Sequence, residues 1–428
     1  MNATFWLLCG VVILITSIVA GSYPALYLSS FNPVKALKGT FKVGRMASLP
    51  RKVLVVIQFS ISVILIISTI VVYQQIQFSK NRPVGYSREG LITISKKTSD
   101  FHGKFDLLRT ELINTNVVED MSESMGKVTE VASANDGWSW EGKAPSQDKS
   151  FVTLAVTANH GRTIGWQFVE GQDFIGDNAS DSLGIVINES ALRVMSLKDP
   201  IGQSVSWTWW QDQRVLNYKI LGVVKDMVME SPYKQIEPTI FYIKGFNGVP
   251  SVINIRVKSE VSIAEALPKI EAVFKKIIPS VPFDYQFVDD EYAKKFASEE
   301  KVGRLVSIFS GLAIFISCLG LLGLSSFVAE QRTKEIGIRK ILGASVSVLW
   351  QMLSKDFITL VIISCAIALP ISLTFMTNWL QNYEYRTEIS VWIFVVTTIG
   401  TILITLLTVS FQTIKAAVTN PVKSLRSE

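Results

Sequence analysis

Five apolar runs of roughly twenty residues constrain the fold of this chain more than any other feature. They are residues 5–21, 53–73, 305–328, 357–376 and 391–410. A helix of this length crosses about 30 Å of hydrocarbon and satisfies its own backbone hydrogen bonds there. The alternative, core helices of a soluble enzyme, is excluded by the length of the runs and by the scarcity of charges in them. The sequence predicts an α-helical polytopic membrane protein with about five transmembrane helices.

Basic residues in the short loops predict how these spans are oriented. Segments 31–52, 332–355 and 415–426 are rich in Lys and Arg, so they should lie in the cytoplasm. The long segment 74–303 carries 26 Lys and Arg against 30 Asp and Glu and should lie outside, together with the loop 378–390. Because the first four residues carry no basic side chain, a secretory signal peptide is disfavoured.

The outer segment alternates β-type and helical runs, which predicts an α+β domain and leaves open whether it has one lobe or two. The strands are predicted at 90–95, 151–156, 185–187, 218–224, 239–243 and 252–257, and helices at 106–115, 189–195 and 263–278. Residues 74–79 should extend the second span outward. Residues 297–300 should begin the third span outside the membrane, so that the two extensions form a stalk.

A basic phrase occurs twice, as FNPVKALKG at residues 31–39 and as TNPVKSLRS at residues 419–427. Each copy follows a span that runs from outside to inside, which indicates an internal repeat. On this interpretation the first span is the last helix of a preceding repeat. The copies are interpreted either as basic stops after a span or as contacts with a partner.

Several ordered stretches resemble the MacB/FtsX-like permeases of ABC transporters, in the double-repeat form found in Bacteroidetes. The most specific is EQRTKEIGIRKILGAS at residues 330–345, which is similar to the family signature R-x-x-E-I-G-x-x-x-x-x-G-A. In the outer segment, VEGQDF, IVINESAL, DPIGQSV and ILGVVKDMVMESPY resemble the family's periplasmic core domain. The resemblance implies the C-terminal half of a longer permease, in the bacterial inner membrane.

The resemblance also implies a division into five parts. Residues 1–30 are expected to form a transmembrane helix of a preceding repeat, and residues 31–52 a cytoplasmic basic linker. Residues 53–79 are expected to form a transmembrane helix and stalk, residues 80–285 a periplasmic core domain of MacB type, and residues 286–428 a stalk helix and an FtsX-like domain with three transmembrane helices.

The signature segment is predicted to be a short cytoplasmic helix over residues 330–342. Gly343 suits a left-handed helix end, and Ser345 can cap the next helix. The residue types alone leave open a simple basic anchor. The resemblance implies a coupling helix that docks on an ATPase subunit, through Arg332, Glu335, Ile336, Gly337, Arg339, Lys340, Gly343 and Ala344. No G-x-x-x-x-G-K-[ST] motif occurs, so ATP hydrolysis is expected in a separate chain.

Small residues in the third span form a seam that lets another helix approach closely. They are Ser310, Ala313, Ser317 and Gly320. Two interpretations stay open, association with a second permease half or a homodimer partner, and packing within one repeat. Gln58, Ser62 and Pro370 could be taken for a substrate path, but the spans contain no clear buried charge of the kind that marks an ion route.

The outer segment also contains an unexpected group of aromatic residues: Trp138, Trp140, Trp166, Trp207, Trp209 and Trp210. Strand spacing favours core positions over a hydrophobic ligand face or protein contact. The acidic run 289–291 is interpreted as a solvated helix start. The cysteines Cys9, Cys318 and Cys365 lie in apolar runs and His102 and His160 stand apart, so no cofactor and no metal site are predicted.

These features predict a permease subunit that couples ATP hydrolysis by a separate subunit to conformational change of its outer domain, for export or extraction of a substrate. The alternative is a membrane signalling or scaffold protein that activates or recruits a periplasmic partner without transport. The expected partners are an ABC ATPase, a second permease half, the lipid bilayer, and a periplasmic protein or hydrophobic substrate; nucleic acid is not expected. An enzyme is disfavoured, because no nucleophile, base and orienting group stand at recognisable spacing.

Overall fold

A computed structural model describes residues 3–29, 49–144, 149–176, 183–208, 214–243 and 251–418. The helices are α1 (Ala3–Ser29), α2 (Leu49–Lys80), α3 (Phe105–Asn114), α4 (His160–Ile164), α5 (Glu189–Met195), α6 (Ile263–Ile277), α7 (Val288–Lys294), α8 (Ala297–Gln331), α9 (Thr333–Ile341), α10 (Val346–Leu380) and α11 (Val391–Val418). The strands are β1 (Leu91–Ser95), β2 (Val118–Ser124), β3 (Ala134–Asn135), β4 (Trp138–Trp140), β5 (Phe151–Val156), β6 (Phe168–Gly171), β7 (Gly184–Asn188), β8 (Ser204–Thr208), β9 (Val215–Val224), β10 (Thr239–Ile243), β11 (Val252–Val257) and β12 (Tyr285–Phe287). Both copies of the NPVK phrase lie outside the described residues.

Four helices in the described part of the chain, α2, α8, α10 and α11, are long and apolar enough to cross a membrane. They coincide with the second to fifth predicted spans. The first predicted span lies in α1, in which Ala3–Ile18 is an apolar helical stretch. Helix α2 continues past its apolar run to Lys80, and α8 begins at Ala297, before its own run.

The chain divides into two compact units, each formed by several chain segments. The first unit contains Met1–Phe59, Ser317–Ser364 and Thr405–Glu428, and its buried residues include Leu321, Leu349, Leu353, Phe357 and Val409. The second unit contains Ser60–Ile316 and Cys365–Ile404, and it includes the whole β-sheet.

One mixed sheet runs through the second unit in the order β12-β1-β11-β2-β5-β10-β7-β9-β8-β4, with β3 paired to β5 and β6 to β9. The sheet carries two hydrophobic cores. One core lies between β1, β2, β11 and the helices α3 and α6, and it includes Phe101, Ile255 and Phe274. The other surrounds β4, β5, β7–β10 and α5. Strands β2 and β5 share one ladder pair, Ser124 and Val156, flanked by the backbone hydrogen bonds Met125 N–H to Ala155 and Thr157 N–H to Glu123. The sheet is narrowest there, between the two lobes of the α+β domain.

All six predicted strands are present, as β1, β5, β7, β9, β10 and β11, and the three predicted helices are α3, α5 and α6. Strand β2 escapes prediction because its sequence VEDMSES is polar. Two of its three carboxylates are nevertheless buried and paired: Asp120 bonds Arg109 at 2.8 Å, and Glu123 bonds Lys96 at 2.6 Å. Buried polar groups are tolerated when such partners satisfy them.

Candidate functional site

The predicted cytoplasmic helix is an elbow between two long helices. Helix α8 ends at Gln331, Arg332 has non-helical backbone angles, and α9 begins at Thr333. The predicted single helix over 330–342 is therefore interrupted at Arg332. At the other end Gly343 adopts a φ of +88°, as expected for a left-handed helix end. The Ser345 hydroxyl accepts a hydrogen bond from the Val348 N–H at 3.5 Å, at the start of α10.

One side of α9 is packed inside the first unit. Ile336 is 5% exposed and Gly337 is also buried. The Arg332 Nη2 atom lies 2.7 Å from Asp356 Oδ2, which ties the start of the elbow to α10. Lys340 and Ala344 are half-buried. Ile336 and Gly337 therefore hold the elbow in place and are not available to a docking partner in this conformation.

The other side of α9 exposes three large apolar residues, named here the elbow patch: Ile338, Ile341 and Leu342. Their exposed fractions are 52%, 63% and 80%. The spacing i, i+3, i+4 places them on one face of the helix. The ion pair between Glu335 and Arg339, 2.8 Å long and solvent-exposed, lies beside this face.

The predicted coupling residues include charged, apolar and small side chains of the elbow but none of the elbow patch. The signal was present, because an apolar face of three residues recurs at helical spacing within KEIGIRKIL. Ile336 and Lys340 are four residues apart, as are Ile338 and Leu342. Helical periodicity alone therefore does not decide which of these two sides of the nine-residue helix is buried and which is exposed.

Two contacts of the small-residue seam lie within the chain. In the second unit, the hydroxyls of Ser310 and Thr69 are 2.9 Å apart. In the first unit, a Cβ placed on Gly320 would lie 2.9 Å from the Gln58 Oε1 atom, so the glycine permits a close approach to α2. Ser317 is buried and Ala313 is half-buried. These contacts are of the kind that packing within one repeat requires.

The aromatic group lies in the core of the larger lobe. Trp138 and Trp207 are stacked at 4.9 Å with their rings nearly parallel, and they are 1% and 2% exposed. The Trp207 indole N–H donates to the Asp136 carbonyl at 3.0 Å. Trp140 and Trp166 are also buried, whereas Trp209 and Trp210 lie outside the described residues. The four described tryptophans therefore form core and no open ligand face.

The loop between α10 and α11 is docked on the outer domain, which the sequence did not predict. Gln75, at the outer end of α2, donates to the Tyr385 carbonyl at 2.9 Å and accepts from the Thr387 N–H at 2.8 Å. The Glu384 and Tyr385 N–H groups both donate to the Tyr233 carbonyl, at 3.1 and 2.9 Å. Burial raises the pKa of Tyr233, with a smaller contribution from nearby acidic groups.

The titratable groups that the structure describes in the outer domain form no recognisable catalytic arrangement. His160 is fully buried, its Nδ1 atom lies 3.1 Å from the Ser122 hydroxyl, and burial lowers its pKa to about 3. The acidic run 289–291 begins α7 as predicted, but Glu291 is partly buried and paired with Lys127 and Lys294. Among the residues that the structure describes, no three His, Cys, Asp or Glu side chains are grouped to hold a metal.

Comparison with known proteins finds a family match for the C-terminal region of the chain. Residues 307–421 match the family model described as FtsX-like permease C-terminal. No curated protein matches the chain. Among solved structures, the periplasmic region of MacB from Actinobacillus actinomycetemcomitans is 12% identical, covers 48% of this chain and 92% of its own, and has a TM-score of 0.34. The extracellular domain of the noncanonic ABC-type transporter YknZ from Gram-positive bacteria is 10% identical, covers 46% and 97%, and has a TM-score of 0.31.

The fold and the family match together define a multi-pass helical membrane protein with a large α+β domain outside the membrane. Its residues 307–421 form an FtsX-like permease domain, and this confirms the resemblance to the MacB/FtsX-like permeases predicted from residues 330–345.

Proposed function

We propose that this chain is the transmembrane permease subunit of an ABC transporter in the bacterial inner membrane. A separate ATPase subunit binds it on the cytoplasmic side, and ATP hydrolysis there drives a conformational change of the outer domain that exports or extracts a substrate. A second permease half, or a second copy of the chain, completes the membrane part. The observation that carries this proposal is the elbow patch.

The elbow patch has the properties of a docking surface. It is a compact set of three aliphatic side chains in a loop that the positive-inside rule places in the cytoplasm. Covering a Leu or Ile side chain contributes about 1.5–3 kcal/mol, so a groove that buried all three would hold the helix firmly. The exposed pair of Glu335 and Arg339 supplies a polar rim, which is typical of protein interfaces.

Force applied at the elbow patch would act on a fixed helix. Ile336 is buried and Arg332 is bonded to Asp356, so α9 cannot turn freely about its own axis. Helix α8 runs without interruption from Ala297 to Gln331. In the second unit, Glu300 near the start of this helix pairs with Lys80 at the end of α2. We infer that a displacement of the elbow reaches the outer domain as a movement of these helices.

The proposal is tested with the double variant Ile338→Glu, Leu342→Glu in the complex with the ATPase subunit. Two buried carboxylates in an apolar groove are costly, so we expect the affinity for the ATPase to fall roughly tenfold or more and permease-dependent ATP hydrolysis to be lost. Both side chains are exposed, so membrane insertion and thermal stability should be retained. Affinity is measured by titrating the labelled ATPase into permease held in nanodiscs.

The matched control is Ile175→Glu, because Ile175 is 74% exposed in the second unit and should not contact a cytoplasmic subunit. Unchanged ATPase binding by the double variant would overturn the proposal. That result is expected if the elbow patch is instead immersed in lipid headgroups, where it would serve only as an anchor.

A further inference from the structure

A recess of about 410 Å³ opens on the smaller lobe of the outer domain. Its wall is built from the loop before β1, from β2 and α4, and from the turn that links β11 to α6. We name it the charged recess and define it by Glu89, Glu119, Arg162, Arg256, Lys258 and Ser259. Its volume falls within the range of about 300–1,000 Å³ that is usual for small-molecule sites.

Arg256 is a rigidly held side chain of the charged recess. It is 7% exposed, and its guanidinium donates to the carbonyls of Ser87 and Thr163, each at 2.8 Å, and to that of Glu89. Burial lowers the pKa of Arg256, and the charge of Glu119 opposes this effect. Three carbonyl acceptors hold the side chain rigidly, so its position is set before any ligand arrives.

Arg256 makes no ion pair shorter than 4.0 Å among the described residues, and Glu119 acts on its charge only at longer range. Ion pairs are common elsewhere in this lobe: Lys96 meets Glu123 at 2.6 Å, and Lys97 meets Asp284 at 2.8 Å. A buried charge without a contact counter-ion is costly, and groups perturbed by burial are enriched at functional sites.

The other charges of the recess are Arg162, Lys258, Glu89 and Glu119. Within the described part of the chain, none of them makes an ion pair shorter than 4.0 Å, although Arg162 acts at longer range on Asp173 and Lys258 on Glu260. The recess therefore presents separated charges of both signs. Val261 and Ile263 add an apolar part to its wall.

We propose that the charged recess binds a small zwitterion, a molecule that carries a carboxylate and a primary amine and has about the size of a dipeptide. The carboxylate binds at Arg256 with Arg162 and Lys258, and the ammonium group faces Glu89 and Glu119. A small apolar side chain of the ligand packs on Val261 and Ile263. This site is independent of the proposed ATPase coupling, because every residue in it belongs to the outer domain.

The proposal is tested by calorimetric titration of the full chain in detergent with alanylalanine and two derivatives. The C-terminal amide lacks the carboxylate, and the N-acetyl derivative lacks the ammonium group. We expect alanylalanine to bind one-to-one and each derivative to bind roughly tenfold more weakly, since each loses one charge-assisted contact. No binding of alanylalanine up to about 10 mM, or equal affinity for all three, would overturn the proposal.

Two exposed residues provide variants that should fold normally, Arg162→Ala and Glu119→Gln. We expect Arg162→Ala to weaken alanylalanine binding roughly fivefold and to leave binding of the amide unchanged. Glu119→Gln should weaken alanylalanine and leave the N-acetyl derivative unchanged. The control is Lys276→Ala, an exposed cation of α6 outside the recess. Equal losses for all ligands in either variant would contradict the assigned orientation. Arg256 is not substituted in these tests, because its removal would leave three carbonyl groups without a hydrogen-bond donor.

Discussion

The outer domain buries its tryptophan corner, which consists of Trp138 and Trp207, whereas the elbow between α8 and α10 exposes large apolar side chains. Trp138 and Trp207 are almost fully buried at the end of the sheet, although a tryptophan-rich strand looks like a ligand face. Ile338 and Leu342 are exposed on α9, although the segment looks like a basic anchor. The difference shows that residue type predicts function poorly until the neighbouring elements are known. Pairing with a neighbouring strand covers the aromatic residues, whereas a short helix that packs on one side only leaves its other face exposed.

The largest expected effect tests the buried side of this comparison. Trp207→Ala removes a stacked ring and the hydrogen bond to the Asp136 carbonyl, and it leaves a cavity between β4 and β8. We expect the free energy of unfolding of the outer domain to fall by about 3–5 kcal/mol. Denaturant unfolding of the full chain in detergent, followed by tryptophan fluorescence, measures this change.

Val215→Ala, at an exposed position of β9 opposite Thr208, is the control and should change stability by less than about 0.5 kcal/mol. If Trp207→Ala were as mild as this control, the tryptophan corner would be a surface and not a core.

The second largest effect is a change of about 2–3 kcal/mol in the free energy of unfolding, and it concerns the buried His160 of the same domain. The pKa of His160 falls from 6.5 to about 3 on folding, so the stability that depends on its neutral form is complete above pH 6.5 and is lost as the pH falls toward 3. At about 1.4 kcal/mol per pH unit, acidification from pH 6.5 to 4.5 should destabilise the wild type by this amount. His160→Asn should remove that pH dependence, measured by unfolding at several pH values.

Asp173 acts in the opposite direction, because burial raises its pKa from 3.8 to about 6, and acidification through that range favours the folded state. The difference between the wild type and His160→Asn cancels this contribution, since Asp173 is present in both. A difference that did not change with pH would show that His160 is reached by water.

The smallest effect sharpens the comparison within α9 itself. Ile336→Ser should destabilise the chain by about 2 kcal/mol or more, because Ile336 is buried. Ile338→Ser, two residues further on, should change stability by less than about 0.5 kcal/mol. Thermal unfolding in detergent compares the two variants directly, and equal losses would mean that Ile338 is packed against another part of the protein.

The sequence predicts most of the architecture because long apolar runs and hydrophobic strands are local signals. Residues 391–410 are a span by composition alone, and residues 252–257 are a strand for the same reason. Strand β2 could not be predicted, because its two buried carboxylates are satisfied by Arg109 and Lys96 from other parts of the chain. Short edge strands such as β4 depend on pairing with distant segments in the same way.

The candidate sites were less accessible to sequence analysis. The family signature located the elbow, and Gly343 marked its end, but which face of α9 is buried depends on contacts within the first unit. The charged recess gave no sequence signal at all. Its residues come from separate elements, and Arg256 reads as an ordinary strand residue until its three carbonyl partners are known.

The contacts of the loop between α10 and α11 bear on biosynthesis. Synthesis proceeds from the amino end, so the segment around Tyr233 and the end of α2 are made well over a hundred residues before Glu384, Tyr385 and Thr387. Until this loop has been made and has crossed the membrane, the Gln75 side chain and the Tyr233 carbonyl lack these hydrogen-bond partners. Maturation of the outer domain is therefore completed only after the loop between α10 and α11 has reached it.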